Sequence, residues 1–317
     1  MTGVPLMKQD AFLNPEVRCG YYVSDKMKKV WKTELDLLCR FIEVCEKYNL
    51  RYFADAGTLL GTIRHQGFIP WDDDIDVCMP REDYNKLFEV AEKEFTFPYF
   101  FQTALSEKAF YRTHAQLRYS MSTGFIPEDR EKDINKGIFL DIFVLDGVAD
   151  SALLRILHRY EIRFHEILLS YEYDRQYDRL SLLKKTLYRA VHLFHKLIPY
   201  KKHFNYYNRH VLARYSNRAT RKIGNLELGW RPHTQWNREW FSDCEKKPFE
   251  DILINVPQGY HQILTTQYGD YMKIPEDVTQ KNGRFHDTVT FEPDIPYTVY
   301  FQGEERKNVG KISSLGD

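Results

Sequence analysis

Between Lys26 and Asn49 apolar side chains return every three or four residues: Val30, Trp31, Leu35, Leu38, Phe41, Ile42 and Cys45. A 3.6-residue repeat puts them on one face, so the spacing predicts an amphipathic helix with an N-cap at Ser24 or Asp25. LRYFAD (50–55) reads as a short strand, and Gly57 and Thr58 open a short helix, LLGTIRH (59–65). After a turn at QGFIP the repeat changes to two in WDDDIDVCM (71–79), which predicts a second strand. Arg81 to Phe95 is helical again, with Tyr84, Leu87, Phe88 and Ala91 on one side. An aromatic-rich stretch, 96–135, leads to KGIFLDIFVLDG (136–147), the most strand-like segment of the chain.

The pattern changes after 150. Leu153, Leu154, Leu157, Tyr160, Phe164, Ile167 and Leu168 repeat at helical spacing, and a second helical run covers 180–197. Mixed character returns in 223–300, where LINVPQGYHQILTTQYGDYM (253–272) reads as a turn and a helix. The expected organisation is an irregular lead-in (1–24), a core (25–150), a basic helical insertion or subdomain (151–222) and a C-terminal part (223–317) that completes the core. The chain has no internal repeat and no low-complexity tract.

Apolar residues make up 43% of the 317 and charged residues 28%, enough for a sizeable core and against disorder. The net charge is zero but unevenly spread. Residues 151–222 hold 16 Lys/Arg against 5 Asp/Glu, an excess of +11 that the rest of the chain balances. Such a segment suits an anionic partner, a membrane surface or a charged glycan, or else a solvated helical face. Its cations are mixed with apolar and His positions, which argues against nucleic acid. The five cysteines, Cys19, Cys39, Cys45, Cys78 and Cys244, are odd in number and form no CxxC pair. Neither a disulfide framework nor a zinc site is indicated, and reduced thiols in the cytosol fit best. Cys39 and Cys45, inside the helical pattern, are packing residues. With no signal-peptide core and no membrane-length apolar run, the expectation is a soluble cytoplasmic protein, with room for peripheral contact at the inner face of the membrane.

The candidate chemistry starts at DDDID. In a regular strand Asp72, Asp74 and Asp76 share one face, while Trp71, Asp73, Ile75 and Val77 share the other. Three carboxylates on one face repel one another unless a cation sits among them, and hard oxygen ligands point to Mg2+ or Mn2+. Asp72, Asp74, Asp76 and Asp83 also fall at positions 1, 3, 5 and 12 of a calcium-loop count. Position 6 is Val77, however, where that loop needs Gly, and Pro70 and Pro80 bracket the segment. A solvated acidic loop would not alternate its acids with Ile75, Val77 and Met79. Asp141 stands alone in the apolar run IFLDIFVLD and wants a partner, such as the same metal held by a neighbouring strand. Asp146, beside Gly147, reads as a turn or cap residue. Gly57 and Thr58 at a helix start form a ready anion site, and Arg64 near the end of that helix is placed either to bridge phosphates or to make a surface salt bridge.

The step from Gly57-Thr58 to Asp74-Ile75-Asp76-Val77 resembles the signature of DNA polymerase β-like nucleotidyltransferases. More specifically, YFADAGTLLGTIRHQGFIPWDDDIDVCMPREDY (52–84) is similar to the hallmark block of the LicD family of phosphocholine transferases, related to fukutin-related ribitol-phosphate transferases. GIFLDIFVLDG (137–147) and FEDILINVPQGYHQILTTQYGDYMKIP (249–275) resemble two further blocks. One departure is His286-Asp287, where the family often has paired histidines.

The resemblance implies an α+β fold: a nucleotidyltransferase-like mixed sheet core flanked by helices, with a mainly helical insertion. It implies Asp72, Asp74, Asp76 and Asp141 at the metal, with Asp74, Asp76 and Asp141 catalytic and Asp141 either ligand or general base. Gly57, Thr58 and Arg64 would hold donor phosphate. Tyr268, Asp270, Tyr271 and His286 become candidate substrate contacts, with core packing the competing reading for the two tyrosines. The activity implied is transfer of a phospho-alcohol from CDP-choline, CDP-ribitol or CDP-glycerol to a hydroxyl of a glycan or glycolipid, releasing CMP. Lipopolysaccharide, teichoic acid and capsule all remain open as acceptors. The alternatives are a nucleotidyltransferase that moves NMP, and an inactive glycan-binding or scaffold protein on the same fold.

Overall fold

The computed structural model describes residues 12–107, 109–171, 181–216, 218–226, 234–275 and 288–302. Within the expected lead-in, β1 (Glu16–Arg18) and β2 (Tyr21–Val23) form a small antiparallel hairpin. Helix α1 (Asp25–Lys47) starts at Ser24, whose hydroxyl accepts the Met27 N–H at 3.1 Å. Its apolar face buries Val30, Trp31, Leu35, Leu38, Phe41 and Cys45, as the spacing requires, and also the acid Glu34. The elements that follow are β3 (Phe53–Ala54), α2 (Ala56–His65), β4 (Asp76–Pro80), α3 (Arg81–Glu94), β5 (Tyr99–Gln102), β6 (Ala115–Tyr119), β7 (Thr123–Phe125) and β8 (Ile138–Val148).

Beyond β8 come α4 (Ala152–Tyr171), α5 (Leu182–Leu197) and α6 (Tyr200–Tyr206), the last running on into a wide and then a tight turn. The chain closes with β9 (Lys222–Asn225), β10 (Gln235–Asn237), β11 (Cys244–Phe249), β12 (Ile252–Pro257), α7 (Tyr260–Tyr268) and β13 (Thr290–Glu292).

A seven-stranded mixed sheet forms the centre, in an α+β arrangement. The order β3-β4-β8 runs to the long strand β8. Along the far edge of β8, β6 and then β5 follow its first half, and β9 and then β10 follow its second half. Only β4 and β8 are parallel; the other pairs are antiparallel. The register sets Asp76 opposite Asp141, and Asp141 opposite Gln116 of β6. Residues directly opposite share a face, so this row crosses three strands on one side of the sheet.

Strand β4 is shorter than its alternating pattern. Regular pairing starts at Asp76, not at Trp71, because β3 offers only Phe53 and Ala54 as partners and the last bond toward β8 is Asp141 N–H to the Ile75 carbonyl, 3.0 Å. Residues 72–75 therefore lie outside the ladder, which matters for the acids they carry.

The main core joins α1 to the sheet. Trp31 stacks on Phe68 with ring centroids 4.6 Å apart, and its Nε1 donates to the Asp72 carbonyl at 2.9 Å. The turn that leads into the acids is pinned from two more directions. Glu250, at the β11–β12 tip, accepts the Phe68 N–H at 3.0 Å and is gripped by Arg18 of β1, whose Nη2 donates at 2.9 Å.

A second core lies among α4, α6 and the turns after α6, built from Ile162, Leu169, Phe204, Tyr207, Val211 and Leu212 against Val148. Asp146 belongs to the junction between the two cores and is not a turn residue. It sits within β8 and forms a buried ion pair with Arg81, whose Nε donates at 2.7 Å, while Arg81 Nη1 reaches Asn208. Among the described residues, no helix is long and apolar enough to cross a membrane.

Candidate active site

The site begins where β3 turns into α2. Asp55 caps the helix, its carboxylate accepting the Ala56 N–H at 2.9 Å. The cap is thus Asp55 and not Thr58, which lies one turn in and is buried. The Thr58 hydroxyl accepts the Asp76 N–H at 2.8 Å, and the Asp55 N–H donates to the Asp76 carbonyl at 3.0 Å. Both backbone groups of Asp76 are therefore fastened to the start of α2. The Thr58 hydroxyl thereby fastens the start of β4 to α2.

Gly57 faces the other way. A Cβ on Gly57 would lie 2.4 Å from Asp72 Oδ2, so only glycine admits that carboxylate against the N-terminal turn of the helix. An anion is stabilised there by the helix dipole.

The acids form a cluster with a different membership from the strand pattern. Carboxylate oxygens of Asp72, Asp73 and Asp74 all lie within 4.8 Å of one another. Asp73 was expected on the opposite face. Because 72–75 precede the regular ladder, strict alternation does not apply and three successive acids converge. Asp76 and Asp141 stand beside them as the opposed pair on β4 and β8. Asp141 Oδ1 accepts from Gln116 Nε2 at 2.6 Å and lies 3.4 Å from His114 Nε2. Burial, and then the charges of Asp74 and Asp141, push the Asp76 carboxyl well above the ordinary carboxylate range.

Glu34 is a residue that periodicity missed. It is 1% exposed on the buried face of α1, three residues from Trp31, and its Oε2 has no hydrogen-bond partner. Burial first, and then Asp74, Asp73, Asp72 and Asp76, raise its pKa well above normal. A buried acid thus lies within reach of the charge of four others, and among the described residues its Oε2 has no hydrogen-bond partner. Hard oxygen donors in this number fit a divalent cation of the Mg2+ or Mn2+ kind.

A cleft of about 520 Å³ opens over the acids. Gly57, Asp72, Asp74, Asp76 and Arg64 line it, together with Tyr268, Asp270, Tyr271 and Lys273 from the end of α7 and beyond. Thr58 and Asp141 are not among its lining residues. Arg64 is positioned by two bonds, Nε to His65 Nε2 at 2.8 Å and Nη1 to the Tyr271 carbonyl at 3.0 Å. Tyr268 and Tyr271 divide: Tyr271 is 8% exposed with its hydroxyl on His261 Nδ1, whereas Tyr268 is 44% exposed at the cleft. Lys273 is a second cation that the sequence motifs did not single out. His286 lies outside the described residues.

A sequence profile described as the LicD/FKTN/FKRP nucleotidyltransferase domain matches residues 49–145, from just before β3 through Leu145 of β8. The lipopolysaccharide cholinephosphotransferase LicD of Haemophilus influenzae is 31% identical over 266 residues, spanning 80% of this chain and 96% of that protein. The chain belongs to the LicD family. Two Rickettsia relatives, the uncharacterized proteins RP689 of R. prowazekii and RT0683 of R. typhi, each match 41 residues at 51% identity, 13% of this chain. In this LicD-family chain the profile takes in Gly57, Arg64, Asp72–Asp76 and Asp141. Glu34, Tyr268, Asp270 and Lys273 lie outside it and reach the acids or the cleft only through the fold.

Proposed function

We propose that this chain is a divalent-metal-dependent transferase. It moves phosphocholine, or a related phospho-alcohol such as ribitol phosphate, from a CDP-linked donor to a hydroxyl of a cell-surface glycan. The observation that carries the reading is that Asp72, Asp74 and Asp76 line one cleft with Arg64 and Lys273, with Asp73 clustered against Asp72 and Asp74, inside a LicD-family chain. The name of the Haemophilus relative supports phosphocholine as the group moved and lipopolysaccharide as the acceptor.

Asp72, Asp74 and Asp76, with Asp73 behind them, would hold Mg2+ or Mn2+. The ion would neutralise the donor diphosphate and the developing charge on the leaving oxygen. Arg64 and Lys273 line the same cleft and offer cationic donors to phosphate oxygens. The Tyr268 ring, open at the cleft, offers a stacking face for base or sugar. The acceptor hydroxyl attacks the phosphorus that bears the alcohol. A new P–O bond forms, the P–O bond to CMP breaks, and the hydroxyl proton passes to a carboxylate. Asp141 is suited to that role or to supporting the ion, since Gln116 fixes one of its oxygens. The five cysteines are free, which fits action on the cytoplasmic side, where nucleotide-linked donors are met.

The test is a screen of CDP-choline, CDP-ribitol and CDP-glycerol with Mg2+ and lipopolysaccharide. CMP release, lost in Asp74→Ala and Asp76→Ala, is the expected result. Pyrophosphate release would point instead to nucleotidyl transfer.

A further inference from the structure

Helix α4 is apolar on two opposite sides. Its inner side buries His158 (0% exposed), Ile162 (1%) and Leu169 (3%) in the second core. Its outer side carries Leu153, Ile156, Leu157, Tyr160 and Phe164, which are 53–72% exposed. Their spacing of 0, 3, 4, 7 and 11 draws a single stripe along the helix, on the side away from Ile162. Tertiary packing explains the first face. Nothing among the described residues covers the second.

The charges beside the stripe choose its occupant. Arg159 and Arg163 are exposed along its edge. On α5 the outer residues Leu182 (85% exposed), Leu193 (60%) and Leu197 (78%) share one face with exposed Arg189 and Lys196. Lys201 and Lys202, at the start of α6, are exposed as well. Arginines and aromatic residues suit a protein–protein interface as well as a membrane, but the core of such an interface is depleted of lysine, so exposed Lys196, Lys201 and Lys202 beside the leucines weigh against a protein partner. A helix lying in the lipid headgroup region uses that mixture: apolar side chains enter the acyl boundary, and long cationic side chains meet anionic headgroups.

We infer that the outer face of α4, with α5 beside it, docks this protein on an anionic phospholipid bilayer. The inference concerns where the enzyme sits and does not depend on which donor it uses.

Full-length protein is sedimented with vesicles of phosphatidylcholine alone and of phosphatidylcholine mixed with phosphatidylglycerol, without donor or metal. The expected result is binding to the mixed vesicles that weakens with salt. Leu157→Glu/Phe164→Glu, and separately Arg159→Glu/Arg163→Glu, should each lower it on the order of tenfold or more. Both double variants alter exposed positions, and an unchanged melting temperature checks their fold. No binding of the wild type to mixed vesicles, or binding that neither variant weakens, would overturn the inference. So would a dimer that Leu157→Glu/Phe164→Glu dissociates in the absence of vesicle binding, because the stripe would then belong to a second copy. CMP release with a soluble acceptor is read separately, so loss of docking and loss of chemistry are distinguishable.

Discussion

Asp76 and Asp141 are directly opposite one another on the two parallel strands at the centre of the sheet. Burial first, and then the charges of Asp74 and of Asp141 on the neighbouring strand, drive Asp76 toward its neutral form. A divalent cation held there, as proposed, would turn the repulsion among these acids into attraction. Asp76→Asn and Asp141→Asn should each lower CMP release on the order of a hundredfold. The double variant should be little worse than the poorer single one, since residues acting as a unit are not additive. Asp76→Asn should also melt higher than wild type when divalent ions are chelated. Steady-state rates and melting curves in EDTA check both points, and additive losses in rate would separate the two acids.

Gly57 admits the Asp72 carboxylate, and a methyl group there cannot coexist with it at 2.4 Å. Alanine is otherwise favourable in a helix. Gly57→Ala should therefore fold normally and bind Mn2+ roughly tenfold more weakly or worse, as Asp72 is displaced. Titration calorimetry with Mn2+ measures this, and an unchanged affinity would remove Asp72 from the ion site.

Glu34→Gln keeps the shape of a side chain that prefers to be neutral in the ion-free protein. Without divalent ions the variant should melt at or above the wild-type temperature. With Mg2+ its gain in melting temperature should be smaller, because glutamine cannot supply a charge to the cluster. Equal gains in the two proteins would show that Glu34 plays no part in holding the ion.

The second core carries its own pH dependence. His203 is hydrogen-bonded to His165 at 2.8 Å and to His195 at 3.0 Å. Burial, with the two neighbouring imidazoles, holds its pKa down at about 4. The unfolded chain takes up a proton near the ordinary histidine pKa of about 6.5, whereas the folded chain resists it until about pH 4. Stability from this group is therefore full above about pH 6.5 and drains away as the pH falls toward 4. His165 shifts in the same direction, by burial, with Glu161 and Arg214 facing it. Urea midpoints at pH 7.5 and 5 should fall less for His203→Gln than for wild type. Parallel falls would assign the acid sensitivity to other groups.

Local spacing determined a good deal. The three- and four-residue steps of α1, the apolar run of β8 around one aspartate, and the Gly57-Thr58 turn ahead of DDDID are properties of neighbouring residues. Side-chain direction over a few residues follows from backbone geometry alone, so these elements and the candidate acids were legible in the sequence. The extent of β4 was not, because a strand exists only where a partner strand does. With two residues of β3 on one side and the last β8 bond at Ile75, the ladder starts at Asp76 and frees Asp73 to join Asp72 and Asp74. Register between distant segments decided the rest. Pairing of β8 with β4 and β6 set Asp141 between Asp76 and Gln116, and the packing of α1 buried Glu34 within reach of the aspartates' charge. The sequence by itself supplied the charges and the elements that carry them. Only the tertiary structure chose which charges meet, because long-range pairing and burial leave no periodic trace along the chain.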